Sequence, residues 1–366
     1  MTTLRVLLHD AAQRDYELHS LDFSTAFLHG SLHEEIWLCR PPGFTGSFPA
    51  GTQCSLRRPV YGLRQVPREW HNTLRTTLAA LGFTPSIADP SLFLRADTLL
   101  PPFYVLVYVD DLAFATADNE ALALVKSELQ KRHTCIDLGE LRSYLGLQIT
   151  WDRARWTITL TQSHMVHQVL QRFDFRYSLP QSTPLPSDHL LSAPPSDESV
   201  EQSGPYPDLV GYLITMGMGL LLRGRGLVVI TGHADASWVD DLATQRSSSC
   251  EAEIYAGAMA AQELRWLTYL LTDLGKQPCS SPVLYVDNKA MIALCQEHRL
   301  EHRTKHIGLR YFLARELQQR GQLRLAYVAT RANTADIFTN ALQSGDHQRF
   351  CTVLGLVPTL PHLLTA

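Results

Sequence analysis

Lysine is scarce in this chain of 366 residues: it supplies five of the 32 basic side chains, so the positive charge is carried almost wholly by arginine. Arginine favours planar contacts with phosphates and rings over point-charge attraction. Excess positive charge is also missing. The 32 Lys and Arg face 36 Asp and Glu, a formal net charge of −4, which excludes binding of nucleic acid by bulk charge and leaves only local contacts. The seven cysteines, at positions 39, 54, 135, 250, 279, 295 and 351, include no C-x-x-C pair. That pattern speaks against a disulfide framework or a zinc ribbon and for a reducing compartment. The longest uncharged apolar run, Leu209–Leu222, has 14 residues with three glycines, short of the roughly 20 that cross a bilayer. The opening residues, MTTLRVLLHDAAQRDYELHS, lack the apolar core of a signal peptide and read as if already inside a helix. No secretion or membrane signal is expected.

What is present is a 45% hydrophobic share and enough length for about two domains. One segment divides the chain. From Ser178 to Asp208, SLPQSTPLPSDHLLSAPPSDESVEQSGPYPD holds seven of the 20 prolines, a composition that forms neither helix nor central strand and reads as an extended linker. The expected parts are therefore 1–177, the linker 178–208, 209–345 and a C-terminal tail, 346–366. In the first, Leu4–Leu18 has helical spacing, Phe103–Val109 reads as a buried strand, and Ala121–Lys131 is helical again. In the second, strands are expected at Leu227–Thr231, Val283–Val286 and Leu323–Val328, with helices at Glu251–Leu274 and Thr304–Gln319. Strands and helices alternate, so the expected class is α+β.

Two adjacent acids, Asp110 and Asp111, separate the apolar run Phe103–Val109 from a second one, Leu112–Thr116. A carboxylate pair is an unusual way to close an apolar hairpin, which Asn-Gly or Asp-Gly closes with less strain. The plain reading is a solvated turn. Asp22 also follows an apolar step, and carboxylates gathered on neighbouring strand ends form a hard-oxygen site suited to Mg²⁺ and phosphoryl transfer.

Around these acids the sequence resembles the reverse transcriptases of copia-type long-terminal-repeat retrotransposons. LDFSTAFLHGSLHEEIWLCRPPGF (21–44) resembles the family's first catalytic block and LRRPVYGLRQVPREW (56–70) its nucleotide-binding block. YVDDL (108–112) matches the polymerase signature, and LGELRSYLGLQI (138–149) the segment that grips the primer. The resemblance implies a polymerase palm-like domain, an antiparallel sheet with helices. It implies Asp22 and Asp110 as ligands of two Mg²⁺ ions, with Mn²⁺ as a substitute, and Asp111 as the adjacent, less essential carboxylate. Phe23, Phe27, Tyr61 and Gly62 would line the nucleotide pocket, with Phe27 against the incoming sugar, and Leu145 and Gly146 would lie under the primer end. The implied partners are dNTPs, an RNA template, a DNA primer and an RNA–DNA hybrid; the implied location is cytoplasmic, within a virus-like particle, or nuclear. Local charge agrees: between Ser55 and Arg75 five arginines meet one acid, Glu69, with Tyr61 and Trp70 interleaved. Arg57, Arg58, Arg64 and Arg68 suit a phosphate backbone, the plain alternative being a solvated basic helix face.

Past the linker four acids recur: Asp235 in TGHADASW, Glu253 in SSCEAEIYAG, Asp287 in LYVDNKA and Asp336 in NTADIFTNAL. Singly each has a structural reading, since Glu251 and Glu253 suit the first turn of a helix and Asp287 suits a cap. Together they resemble the RNase H domain that follows the polymerase in the same family, and residues 302–342 match its C-terminal block. The resemblance implies Asp235, Glu253, Asp287 and Asp336 as catalytic acids around a second metal pair, with Glu253 preferred to Glu251. His302 and His306 lack a third ligand nearby and read as hybrid-facing or surface histidines.

Three features depart from the family pattern. The basic fingers segment does not precede the first block; GYLITMGMGLLL (211–222) stands where the family has connecting helices; and Glu253 comes only 18 positions after Asp235, where an RNase H fold sets two antiparallel strands. At about 5–6 residues a strand, TQRSSS (244–249) is too short for them. The expectation is a truncated, internally deleted copy: an RNA-directed DNA polymerase followed by an incomplete RNase H-like α/β domain, with impaired turnover. The alternative is a non-catalytic relic that at most binds nucleic acid; an isolated nuclease ranks third.

Overall fold

The computed structural model describes residues 1–29, 34–39, 53–95, 100–174, 183, 218–236, 249–296 and 311–358. They fall into two compact units, Met1–Tyr144 and Leu145–Ala366. The division therefore comes at Tyr144 and not in the expected linker, which apart from Thr183 lies outside the described residues.

In the first unit, helix α1 (Thr2–Arg14) buries Leu4, Leu7, Leu8 and Ala11 as one apolar stripe and ends where Asp15 turns left-handed. Strand β1 (Glu17–Phe23) starts two residues later, so the helix expected to reach Leu18 stops short: Leu18 fits helical spacing but belongs to a strand whose alternating burial is broken where Ser20 and Leu21 are both buried. An exposed hairpin, β2 (Trp37–Cys39) and β3 (Gln53–Ser55), precedes α2 (Val66–Ala80), which has Pro67 in its first turn. Then come β4 (Thr84–Pro85), β5 (Leu92–Arg95), β6 (Phe103–Tyr108) and β7 (Asp111–Thr116). Helix α3 (Asn119–Arg132) is capped by Asp118, which accepts from the Ala121 N–H at 2.8 Å. Strands β8 (Cys135–Glu140) and β9 (Ser143–Tyr144) close the unit.

The main sheet runs β4-β5-β6-β7-β1-β8, antiparallel at every pairing. Its core joins Phe23, Trp70, Leu74, Leu78, Phe83, Phe103 and Phe114. Phe83 and Phe103 meet edge to face at 5.1 Å, the offset favoured by ring quadrupoles. Each such side chain contributes about 1.5–3 kcal/mol when buried, which anchors the central strands that carry the acids.

In the second unit, β10 (Leu147–Asp152) and β11 (Thr157–Thr161) form a hairpin, followed by α4 (Ser163–Arg172) and β12 (Met218–Arg223). Further along lie β13 (Thr231–Ala234), α5 (Ser249–Asp273), β14 (Val283–Val286), α6 (Lys289–Gln296), α7 (Tyr311–Gln319), β15 (Arg324–Tyr327) and the short α8 (Asp336–Thr339). The chain then forms α9 (Ser344–Val353) and β16 (Leu356–Pro358). One antiparallel sheet has the order β16-β12-β11-β10, and a second is parallel, β13-β14-β15. Parallel neighbours need crossover helices, which α5 to α7 supply.

Two expectations are corrected here. The supposed tail includes α9, with Phe350 and Cys351 buried, and β16, which pairs with β12. The strand expected at Leu227 starts at Thr231, and Leu227 itself is 82% exposed. The start of the basic helix, His302, His306 and the interval 237–248 lie outside the described residues. Among the described residues no helix is long and apolar enough to cross a membrane.

Candidate active sites

The first centre is made by the β6–β7 hairpin. Tyr108 pairs with Asp111, and Asp22 on β1 pairs with Asp111 from the other side. Val109 and Asp110 alone form the turn, and Val109 has a φ of 55°, a left-handed conformation that costs a side chain with a Cβ roughly 1–2 kcal/mol. Neighbours hold it there. Trp70 donates its indole N–H to the Val109 carbonyl at 2.6 Å, the Phe23 N–H donates to the Asp110 carbonyl at 2.8 Å, and the Tyr144 hydroxyl donates to the Leu106 carbonyl at 3.2 Å. Strain kept in place by surrounding bonds is a device of functional sites. Replacing Trp70 by Phe, which leaves the Val109 carbonyl without its donor, is expected to lower unfolding free energy by about 1–3 kcal/mol. Urea denaturation measures this; an unchanged midpoint and slope would show the bond to be idle.

Asp22, Asp110 and Asp111 gather beside this turn with no basic side chain paired to them among the described residues. Burial raises the Asp110 carboxyl above its ordinary range; the Tyr61 hydrogen bond opposes the rise and Asp22 adds to it. Burial likewise raises Asp111, reinforced by Asp22 and Asp110. The Tyr61 hydroxyl donates to Asp110 Oδ2 at 3.1 Å, while Asp110 Oδ1 is buried and has no hydrogen-bond partner among the described residues. The orphaned buried oxygen of Asp110 with Asp22 nearby suits a divalent cation with oxygen ligands, although among the described residues only the acids of the second centre bring three ligand atoms within 4.8 Å of one another.

A cleft of about 250 Å³ opens beside the turn, lined by Phe27, Trp70, His71, Tyr108 and Val109 among others. The Phe27 and Tyr61 rings lie 4.6 Å apart, and Gly62 takes a φ of 98°, which suits glycine. Two expectations fail for side chains. Phe23 is 1% exposed and packs edge to face on Trp70 at 5.0 Å, so its ring supports the site from the core and does not face a nucleotide. Trp70, expected among the arginines as an interleaved aromatic, is equally buried. Arg57, Arg58, Arg64 and Arg68 are exposed and form no ion pair among the described residues. Leu145 and Gly146, at the start of the second unit, both have positive φ, 52° and 77°, the pairing of a tight turn.

The second centre follows from the parallel sheet. Ala234 and Val286 are register partners on β13 and β14, so Asp235 and Asp287 each come one step past a strand's carboxyl end. Asp336 opens α8, and ligand atoms of Asp235, Asp287 and Asp336 all lie within 4.8 Å of one another. Glu253 on α5 joins them: its carboxyl is pushed up to about 7, first by burial, then by Asp235, Asp287 and Asp336. Asp336 is pushed up to about 6 by burial, then by Asp235 and Asp287. Glu253 Oε2 and Asp336 Oδ1 are buried and without hydrogen-bond partners among the described residues. Here too the donor set fits a divalent cation.

Several supporting residues escaped the sequence reading. Asn333, fully buried, donates to the Ala234 carbonyl at 3.0 Å and so ties the loop before Asp336 to the end of β13. The Thr339 hydroxyl donates to Asp235 Oδ2. Lys289 lies 4.7 Å from the centre of the Tyr327 ring, and both line a cleft of about 380 Å³ with Glu253 and Asp287. Only Thr339 left a signal, one turn beyond Asp336. Asn333→Ala is expected to cost about 1–3 kcal/mol by orphaning the Ala234 carbonyl, measured by denaturant titration; an unaltered stability would refute that role.

A model of the family described as reverse transcriptase (RNA-dependent DNA polymerase) matches residues 1–187, just over half of the chain. The chain belongs to that family. The match holds all of the first centre, and similarity to longer proteins extends across the second. The chain is 27% identical to the retrovirus-related Pol polyprotein from transposon TNT 1-94 of Nicotiana tabacum, across 93% of this chain and 31% of that protein. It is 29% identical to the corresponding polyprotein from transposon RE2 of Arabidopsis thaliana, across 98% of this chain and 29% of that one. It thus spans under a third of the length of these relatives. The structure of the foamy viral protease-reverse transcriptase in complex with RNA/DNA hybrid aligns at 15% identity and a TM-score of 0.41, covering 86% of this chain and 44% of that one.

Proposed function

We propose that this reverse transcriptase chain extends a DNA primer on an RNA template at its first centre, and that the second is an RNase H-like centre, incomplete in its strands, that acts on the RNA of a hybrid. What carries the reading is the crowding of Asp22, Asp110 and Asp111 at a strained turn, with one buried carboxylate oxygen left unpaired. Asp22 and Asp110 would hold Mg²⁺, with Asp111 as the third carboxylate; Asp235, Glu253, Asp287 and Asp336 would do so at the second centre. Bound Mg²⁺ supplies activation of a hydroxyl or water and neutralisation of phosphate charge.

The chain's own residues then have separate tasks. Phe27 and Tyr61 give the nucleotide an aromatic wall, and Gly62 lets the backbone approach closely. The exposed arginines at 57, 58, 64 and 68 hold template and primer phosphates, which raises affinity without reading sequence. Leu145 and Gly146 support the primer end. Tyr61, which bonds Asp110 Oδ2, keeps that carboxylate oriented.

Incubation with an RNA template, a DNA primer, dNTPs and Mg²⁺ tests the reading. Slow, template-dependent extension that a chelator stops is the expected result. Strong, salt-sensitive template binding with no extension in Mg²⁺ or Mn²⁺ would favour the second reading, a nucleic-acid binder without turnover, for which the unpaired arginines speak.

A further inference from the structure

We propose that Lys289, supported by the Tyr327 ring, is a binding residue for a backbone phosphate of the nucleic-acid strand that enters the second centre. The proposal rests on the reading of that centre as RNase H-like, and gives it a contact beyond its four acids.

Lys289 is one of the five lysines of the chain and opens α6 directly after Asn288. Asn288 Oδ1 accepts the Met291 N–H at 3.1 Å, which caps the helix and fixes where Lys289 leaves the end of β14. Tyr327 ends β15. Its register partner is Val286, the residue before Asp287, and the Val328 N–H donates to the Val286 carbonyl at 3.0 Å. Lys289 and Tyr327 therefore stand at the carboxyl end of the same parallel sheet as Asp235 and Asp287, the end at which open parallel sheets bind ligands.

The ammonium sits among acids and does not join them. Glu253, Asp287, Asn288, Lys289 and Tyr327 line one cleft of about 380 Å³, and Lys289 is its one cation among the described residues. An ammonium beside crowded carboxylates gains most by bonding one of them. Lys289 nevertheless forms no ion pair among the described residues, and Glu253 Oε2 stays buried without a partner there. The ammonium lies instead 4.7 Å from the centre of the Tyr327 ring, drawn by the negative face of the π-system. Lys289 is exposed and Tyr327 is 49% exposed, so the pair faces solvent at the rim of the cleft.

This arrangement suits an anion that repeats. An ammonium bonded to Glu253 or Asp287 would compete with a divalent cation for those oxygens; held on Tyr327 it does not, and its N–H groups are left for a second anionic group. A strand with regularly spaced phosphates offers one to the carboxylate cluster's cation and the next to Lys289. Asn288 lines the same cleft with its oxygen committed to Met291, so its amide N–H₂ is a neutral donor of the kind that accompanies such contacts. Lysine acts as a compact point charge, so the contact adds affinity and reads no sequence.

With so few lysines, each can be followed singly. The full chain in Mg²⁺ receives a brief pulse of an acetylating reagent, with and without an RNA–DNA hybrid; peptide mass spectrometry reads each lysine, and cleavage of the RNA strand is read in the same samples. Acetylation of Lys289 is expected to fall severalfold with hybrid, while the buried Lys126 stays unmodified throughout. Inorganic phosphate at equal phosphate concentration is expected not to protect Lys289; equal protection would mark a site for a free anion and overturn the strand contact. Cleavage of the hybrid with Lys289 unprotected overturns the contact and leaves the reading of the centre intact. A hybrid that is neither cut nor protective overturns both. Where the hybrid is cut, K289Q is expected to raise KM severalfold with little change in kcat. It also flattens the slope of log KM against log salt by about 0.9, the loss of one phosphate contact, which K289R keeps. A KM and slope equal to wild type in K289Q overturn the contact whatever the acetylation shows.

Discussion

Asp110→Asn is expected to reduce primer extension by on the order of 100-fold or more while leaving the melting temperature unchanged or higher. A metal-ligand carboxylate supports several kcal/mol of charge stabilisation in phosphoryl transfer, and each ~1.4 kcal/mol is tenfold in rate. The stability half of the expectation follows from burial and charge. Burial and the Asp22 charge raise the Asp110 carboxyl, so its ionised form destabilises the fold. Asn removes that charge beside Asp22 and Asp111, while its amide oxygen still accepts from Tyr61. Loss of extension together with loss of fold would point to a structural Asp110, and full extension in the variant would remove it from the chemistry.

The second large effect is a pH dependence opposite to that of most carboxylates. Glu253 moves from its ordinary 4.5 to about 7, and Asp336 from 3.8 to about 6. Between those limits the folded chain keeps protons that the unfolded chain has released. Stability from these groups is therefore fully present at acid pH, falls as pH rises from about 4 to about 7, and is lost above that. A divalent cation held by the deprotonated, folded cluster, as proposed, would reverse the loss. Urea midpoints are expected to be lower at pH 8 than at pH 5, and millimolar Mg²⁺ to restore them at pH 8 alone, by about 2.7 kcal/mol if it reaches 100 times its dissociation constant. Glu253→Gln flattens the pH dependence and weakens the response to Mg²⁺. Equal midpoints at both pH values, with no response to Mg²⁺, would contradict the crowding of these acids.

Much of the first centre was legible because strand and turn chemistry are local. An aromatic and β-branched run broken by Asp110 and Asp111 reads as a hairpin, and β6 and β7 form one, with Val109 and Asp110 as its turn and Asp111 opening β7. The parallel strand Val283–Val286 was legible for the same reason. Backbone strain was not, because the left-handed Val109 is imposed by Trp70 and Phe23, 39 and 86 residues distant in sequence. The burial of Trp70 was visible in the spacing Val66, Trp70, Leu74 and Leu78, all buried on one face of α2, but its arginine neighbours pointed outward and masked it. Pairing across long separations decided the rest. β16 joins β12 through residues more than 130 positions apart, which made a strand of an expected tail. Asn333 bonds Ala234 across 99 positions, a contact that no local pattern announces.

Both carboxylate clusters are proposed to hold divalent cations. Titration of Mn²⁺ followed by electron paramagnetic resonance, which separates free from bound ion, tests that proposal without depending on turnover. Wild type is expected to take up Mn²⁺ at two classes of site, one lost in Asp22→Asn/Asp110→Asn and the other in Asp235→Asn/Asp287→Asn. Uptake unchanged in both double variants would contradict it.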